Sequence, residues 1–192
     1  MAVIKALAYG SSSFEIAQLL QHHRVDYLAV AYADEGVVLR ENGITLPIMV
    51  MHPTPESFDK ILAYDLAPEV YSLKLLYALH DFIANKNKRL SIHLKLETGM
   101  HRLGFEEKEL GTLVQTLRAT PALHVVGVMS HLAASANPEH DAYTKQQYTL
   151  FTRLAAYIEQ ELGVRTIKHL LNSSGFLRFP AYQLDMVRVG IG

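Results

Sequence analysis

Met1-Ala-Val-Ile-Lys-Ala-Leu-Ala-Tyr-Gly10 opens the chain and sets how the rest is read. Ala2, Val3 and Ile4 form a short apolar run of the kind a buried strand uses, and Lys5 follows directly. Tyr9-Gly10 then turns the chain into Ser11-Ser12-Ser13, which supplies N-cap residues for a helix over Phe14 to Gln21. A lysine ending a buried strand is expected to be strongly desolvated, which favours the neutral amine, and a neutral amine can attack a carbonyl. A lysine that snorkels to the rim is the plainer reading of the same ten residues.

Outward from this stretch, short Val/Ile/Leu-rich runs alternate with helix-period segments. Further strands are expected at Asp26–Ala31, Ile48–Met51, Pro68–Ser72, Leu90–Glu97, Val125–Ser130, Ile167–Leu171 and Asp185–Val189. Helices are expected over Asp34–Glu41, after a cap at Thr54, over Leu73–Ala84 and over Glu106–Arg118. A long helix should follow the polar loop Ala134–His140, with Tyr148, Phe151, Ala155, Ile158 and Leu162 on one face. The fifth strand alternates, with Ile92, Leu94 and Leu96 on one side and His93, Lys95 and Glu97 on the other.

Eight strands separated mainly by helices predict an α/β fold, a (β/α)8 parallel barrel of the TIM type. A doubly wound sheet would want a GxGxxG turn after the first strand, and that turn is missing. The 192 residues form one domain, 1–192. They fall short of the roughly 250 typical of a barrel and stop at Gly190-Ile-Gly192, directly after the eighth strand, so the barrel is expected to be truncated at both ends, without a closing helix.

Composition narrows the function. The formal net charge of −1 gives no electrostatic argument for nucleic acid or an anionic membrane. No apolar run is long enough to span a bilayer and no signal peptide is visible. With 0 cysteines, disulfides and thiolate metal sites are excluded, and a cytoplasmic address fits. The 10 histidines fall into no HExxH or comparable spacing, so no metal is expected.

Barrel active sites form at the C-terminal strand ends. Those ends hold Lys5 and Tyr9 after the first strand, Arg102 after the fifth and His131 after the sixth. Asn172-Ser173-Ser174-Gly175 follow the seventh, and Arg188 with Gly190-Ile191 the eighth. Ser173 and Ser174 bring hydroxyls to the start of a short helix, and Gly190 lets backbone approach from the other side, which together suit a phosphate. A plain helix cap explains Asn172–Gly175 equally well. Barrel closure makes Arg188 and Lys5 neighbours. A phosphate clamp, an arginine and an activated lysine at one mouth describe a pyridoxal 5'-phosphate site, with a Schiff base at the lysine and the arginine facing the pyridine nitrogen.

Val3-Ile-Lys-Ala-Leu-Ala-Tyr-Gly10, Leu94-Lys-Leu-Glu-Thr-Gly-Met-His-Arg-Leu-Gly104, Ser130-His131, His169-Leu-Leu-Asn-Ser173 and Met186-Val-Arg-Val-Gly-Ile191 resemble the N-terminal barrel of alanine racemases. The match runs nearly the length of the chain. Ser11-Ser-Ser-Phe-Glu-Ile-Ala17 and Met100-His-Arg-Leu-Gly-Phe105 look most like the racemase half of bacterial fusions that carry a UDP-N-acetylmuramoyl-tripeptide ligase upstream.

The resemblance implies interconversion of L- and D-alanine, supplying D-alanine for peptidoglycan, with Lys5, Arg102 and His131 as catalytic residues. Lys5 would hold the cofactor and act as the base on one face of the substrate. Tyr9, Ser173, Gly190 and Ile191 would bind its phosphate, with Asn172 beside them. Arg188 would face the pyridine nitrogen, hydrogen-bonded to His169, and His131 would pack against the ring. Arg102 would contact the cofactor's phenolic oxygen and the substrate carboxylate. Lys95 matches a lysine that several members carry as a carbamate. That modification would relieve a like-charge contact with Arg102, while pairing with Glu97 or another carboxylate is an equally good expectation. An arginine stays protonated, so the ring nitrogen would stay neutral, which favours return of the proton to the α-carbon over transamination.

Five positions depart from the commonest family pattern: Leu7 stands for asparagine, Ser11-Ser12 for His-Gly, Glu97 for Asp and His101 for Gly. Racemisation also needs a proton donor on the opposite face. The resemblance places that donor, a tyrosine, in a C-terminal β-domain acting across a homodimer, so these residues alone are expected to be nearly inactive. Two alternatives are a non-catalytic, single-domain carrier of the same cofactor and an unrelated phosphate-binding barrel with Lys5 as a lyase nucleophile.

Overall fold

The computed structural model describes residues 1–191. Seven parallel strands follow one another in chain order: β1 (Ala2–Val3), β2 (Leu28–Val30), β3 (Ile48–Val50), β4 (Ala67–Val70), β5 (Leu90–Lys95), β6 (Leu123–Met129) and β7 (Ile167–His169). Between them run the six-residue turn α1 (Lys5–Gly10) and the helices α2 (Ser13–His22), α3 (Ala33–Glu41), α4 (Phe58–Ala63), α5 (Leu73–Ile83), α6 (Leu110–Arg118) and α7 (Asp141–Leu162), and α8 (Ser173–Arg178) follows β7. The first seven expected strands and the expected helices are present, most of them with ends shifted by a few residues. Thr54 heads a short 3-10 turn, Pro55–Ser57, which leads into α4.

Asp185–Val189, expected as an eighth strand, forms only a single bridge, Val189 against Ala2. Its backbone nonetheless fills the gap between β7 and β1. Arg188 N–H donates to the Leu171 carbonyl at 2.9 Å, Val3 N–H to Val189 at 2.7 Å, and Val189 N–H to Met1 at 3.0 Å. The cylinder therefore closes through isolated hydrogen bonds.

Strand alternation sorts the core into two layers. Leu28, Val30, Ile48, Val50, Ile92, Leu94 and Val128 belong to the large cluster that also contains the buried helix residues. Ala29, Met49 and Met129 belong to a second cluster with Met1, Tyr27 and Met186. The polar side of β5 is buried too, with His93 at 0% and Lys95 at 4% exposure. His93 fits because Gly127, its partner across a register shift in β6, has no Cβ to collide with the imidazole.

The first loop departs from what its sequence favours. Ala6, Leu7, Ala8 and Tyr9 all have positive φ, between 50° and 59°, so α1 is a left-handed turn. Each L-residue held this way costs roughly 1–2 kcal/mol, and four in a row are exceptional. Local composition alone would suggest an ordinary right-handed helix. Leu7 is 67% exposed and loses no packing on replacement. Asparagine tolerates this backbone region better, so Leu7→Asn should stabilise the fold by roughly 1 kcal/mol, measured as a higher urea midpoint at unchanged m value.

Candidate functional site

A cavity of about 260 Å³ opens at the C-terminal strand ends, lined by Lys5, Tyr9, Met51, His131, Asn172, Ser173, Ser174, Arg188, Gly190 and Ile191, with Val3 at its base. Barrel closure thus brings together nearly all the expected site residues. A larger apolar groove of about 560 Å³ lies along α2 and β1, where Ile16, Leu20 and Val25 contribute, and it gathers no comparable set of polar groups.

Arg188 is the centre of the polar wall. It is buried, and its Nη1 donates to the His169 carbonyl at 2.7 Å, while Nη2 donates to the Ser130 and Leu170 carbonyls at 2.6 and 3.1 Å. Its Nε–H makes no hydrogen bond among the described residues, which leaves one donor for a ligand. Burial pulls the guanidinium down to about 10, so it remains charged at neutral pH.

Donor–acceptor logic fixes the tautomers beyond it. Nη1 can only donate, so His169 Nδ1, 3.1 Å away, accepts and the proton sits on Nε2. His169 Nε2–H then donates to His93 Nδ1 at 3.0 Å, and His93 Nε2–H to the Tyr27 hydroxyl at 2.9 Å. Desolvation first, and then the Arg188 charge, push His93 down to about 4 and His169 well below its usual range. His131, 3.4 Å from Arg188 Nη2, is pushed down to about 3 by desolvation, then by Arg188, Lys95, Arg102 and Lys5 in turn. Cations dominate this mouth.

The same cavity is lined by a cradle of neutral groups, the side chains of Tyr9, Asn172, Ser173 and Ser174 together with Gly190. Asn172 caps α8, with its Oδ1 accepting from Gly175 N–H and from the Ser135 hydroxyl, each at 2.9 Å. The cap reading therefore holds for Asn172, whose oxygen is already used. Ser173 Oγ accepts from Gly190 N–H at 3.1 Å. A Cβ on Gly190 would lie 2.7 Å from the Tyr9 hydroxyl, so glycine is needed for the close approach.

Three expectations fare differently. Lys5 is half-buried rather than enclosed, and the left-handed residues begin directly after it. Arg102 stands outside the cavity, exposed on the loop after β5, and makes no hydrogen bond or ion pair among the described residues. Lys95 pairs with Glu69 at 2.6 Å, not with Glu97, whose carboxylate accepts from Gly99 N–H.

Sequence reading missed several residues. Glu35 ties two loops together: Oε1 accepts from Ala6 N–H at 2.7 Å, and Oε2 from Ala31 and Tyr32 N–H at 2.6 and 3.0 Å. It thereby anchors the left-handed turn at its first positive-φ residue. Gln147 holds the loop carrying His131 by accepting from Ala133 N–H and donating to the His131 carbonyl. An uncommon glutamine on the inner face of α7 was its only signal.

A family model described as alanine racemase, N-terminal domain, matches residues 1–192. The chain belongs to the alanine racemase N-terminal domain family. It is 36% identical over 192 residues to alanine racemase 1 of Oceanobacillus iheyensis, covering 100% of this chain and 51% of that protein. To the alanine racemase of Synechocystis sp. it is 35% identical over 194 residues, covering 100% and 52%. Among solved structures it resembles alanine racemase from Clostridium difficile 630, with TM-score 0.90, 33% identity and coverage of 99% and 50%. It also resembles the enzyme from a D-cycloserine-producing Streptomyces lavendulae, with TM-score 0.92, 30% identity and coverage of 100% and 51%. The chain spans about half the length of the curated relatives it matches. Within this family fold, the barrel mouth and its closure by Arg188 are the parts that these residues themselves build.

Two outcomes follow from the geometry. Folded His93 binds fewer protons than unfolded histidine, so its contribution is complete above about pH 6.5 and is lost as pH falls toward 4. Urea titrations should show stability dropping by on the order of 2–3 kcal/mol from this residue between pH 7 and 4.5, and His93→Gln should flatten that slope. Glu35→Ala should cost on the order of 2 kcal/mol by denaturation, since three backbone donors lose a charged acceptor, and should raise hydrogen exchange at Ala6 and Ala31.

Proposed function

We propose that this chain is the pyridoxal 5'-phosphate-binding barrel of an alanine racemase, interconverting L- and D-alanine. One observation carries the reading: Lys5, Tyr9, Ser173, Gly190 and Arg188 line a single cavity. The donor set suits the cofactor. The Tyr9 and Ser173 hydroxyls match a phosphate, and a lone guanidinium N–H matches a neutral ring nitrogen.

When bound, the cofactor supplies an aldehyde that links to amines and a ring that draws electron density from the substrate's α-carbon. Lys5 Nζ would hold it covalently and would move a proton at one face of that carbon. Tyr9, Ser173, Gly190 and Ile191 would bind the phosphate, with Asn172 setting the loop through its cap. Arg188, held by three strand-end carbonyls and His169 Nδ1, would face the ring nitrogen and keep its own proton. His169 accepts from that guanidinium, and His131 would lie beside the ring as a neutral imidazole. Arg102, on the exposed loop after β5, would contact the phenolic oxygen and the substrate carboxylate.

The second proton donor comes from outside the cavity residues described here, and a second subunit of a homodimer is its proposed source. The further proposals are a small amino acid as substrate, a cytoplasmic setting, D-alanine destined for peptidoglycan, and an upstream ligase fused to the same polypeptide. No helix among the described residues is long and apolar enough to cross a membrane. A non-catalytic carrier of the same cofactor draws support from Arg102 standing outside the cavity, and an assay of alanine racemisation by the whole polypeptide, not by these residues alone, separates the two readings.

Borohydride reduction with pyridoxal 5'-phosphate should fix the cofactor at Lys5, read by peptide mass, and Lys5→Ala should abolish the adduct. Arg188→Leu should weaken cofactor binding at least about tenfold, because a bound acceptor loses its charged partner. Cofactor fixed elsewhere, or none at all, would overturn the reading.

A further inference from the structure

Lys95 and Glu69 are the most enclosed ion pair among the described residues, with side-chain exposures of 5% and 0%. Lys95 Nζ donates to Glu69 Oε1 at 2.6 Å, while Glu69 Oε2 meets no donor among the described residues. Glu69 sits in β4 beside His93, two residues before Lys95 in β5. It is the one carboxylate in the fully buried set described.

A buried lysine at a barrel mouth has two chemical fates. As a neutral amine it can add carbon dioxide, R–NH2 + CO2 giving R–NH–COO⁻ and a released proton. As an ion-paired ammonium it has no lone pair to do so. The family resemblance raised the first fate for Lys95, and the neighbour decides between them. A carbamate would replace the ammonium with an anion directly against Glu69, in an interior with almost no water to screen it. The oxygen already without a donor would be joined by a second one.

We propose that Glu69 keeps Lys95 as an unmodified ammonium, so that this chain carries its buried anion as an encoded carboxylate and Lys95 is not a carbamylation site. The pair is then neutral as a unit. His131 still feels Lys95 together with Arg188, Arg102 and Lys5, so the ammonium adds to the cationic character of the mouth. This inference rests on the ion pair and not on the cofactor reading, so either can fail alone.

The test is 13C NMR of the purified protein equilibrated with 13C-bicarbonate, using Lys95→Arg to identify any Lys95-dependent carbamate resonance. The wild-type protein should show none. Glu69→Gln, which keeps the shape but removes the charge, should raise Lys95-dependent labelling at least about tenfold. A Lys95-dependent signal in the wild type overturns the proposal outright. Absence of signal in both wild type and Glu69→Gln overturns the part assigned to Glu69. Removing one member of a buried pair is costly, so if Glu69→Gln does not accumulate the wild-type spectrum decides alone.

Discussion

The Arg188 guanidinium is the interaction on which the rest depends. A cation fully out of water pays several kcal/mol in lost hydration, and no carboxylate touches this one to repay it. Repayment comes from the carbonyl oxygens of Ser130, His169 and Leu170, all at the ends of β6 and β7. The same residue joins the closing segment to Leu171 through its backbone. Arg188 therefore closes the cylinder where regular strand pairing has run out, and the charge it brings sets the protonation of its neighbours. Three histidines around it must stay neutral, and with the first ring nitrogen assigned as an acceptor the tautomers follow down to Tyr27.

Strain is concentrated on the facing side of the mouth. Four left-handed residues in a row run against the composition Lys-Ala-Leu-Ala, which on its own favours the opposite hand. Such disagreement between local preference and global structure is expected where a loop must present particular groups. Here the turn carries Lys5 at its start and Tyr9 at its end, so both side chains reach one cavity from a single short segment. The Glu35 carboxylate, from the first turn of α3, is what the surrounding structure contributes to hold it.

Periodicity made the barrel legible, because apolar runs and helical stripes each report one local repeat. The inner face of β5 was legible for the same reason: His93 and Lys95 alternate with Ile92 and Leu94. The closing segment was harder, since Asp185–Val189 has the composition of a strand but pairs through isolated bonds. The cradle residues could be read from hydroxyls and glycine at a strand end. Glu35, Tyr27 and Glu69 could not, because each acts on a partner distant in sequence, and a single carboxylate in a strand looks like a surface residue until its neighbour is placed. Glu69 did leave one signal, an acid within an otherwise enclosed four-residue strand. The left-handed hand of α1 left only Leu7, standing where the family more often has asparagine, and that residue hides the preference.

The distribution of charge narrows what the mouth can accept. At the serine side the donors are neutral: the Ser173 and Tyr9 hydroxyls, with the Gly190 N–H already given to Ser173 Oγ. The cations of the same cavity are Arg188, held by three carbonyls, and Lys5, which is half-buried. A bare phosphate would be drawn to the cations and would leave the cradle's hydroxyls unused. A ligand satisfying both sets needs an anionic end small enough for the cradle, and an uncharged acceptor placed to meet one N–H of a guanidinium whose other nitrogens are occupied. An arginine fixed in this way resists exchange for lysine, which has no planar fork and could not bond three strand-end carbonyls while keeping a donor free. The wall that closes the barrel and the wall that reads the ligand are thus one residue, and no substitution there could separate the two tasks.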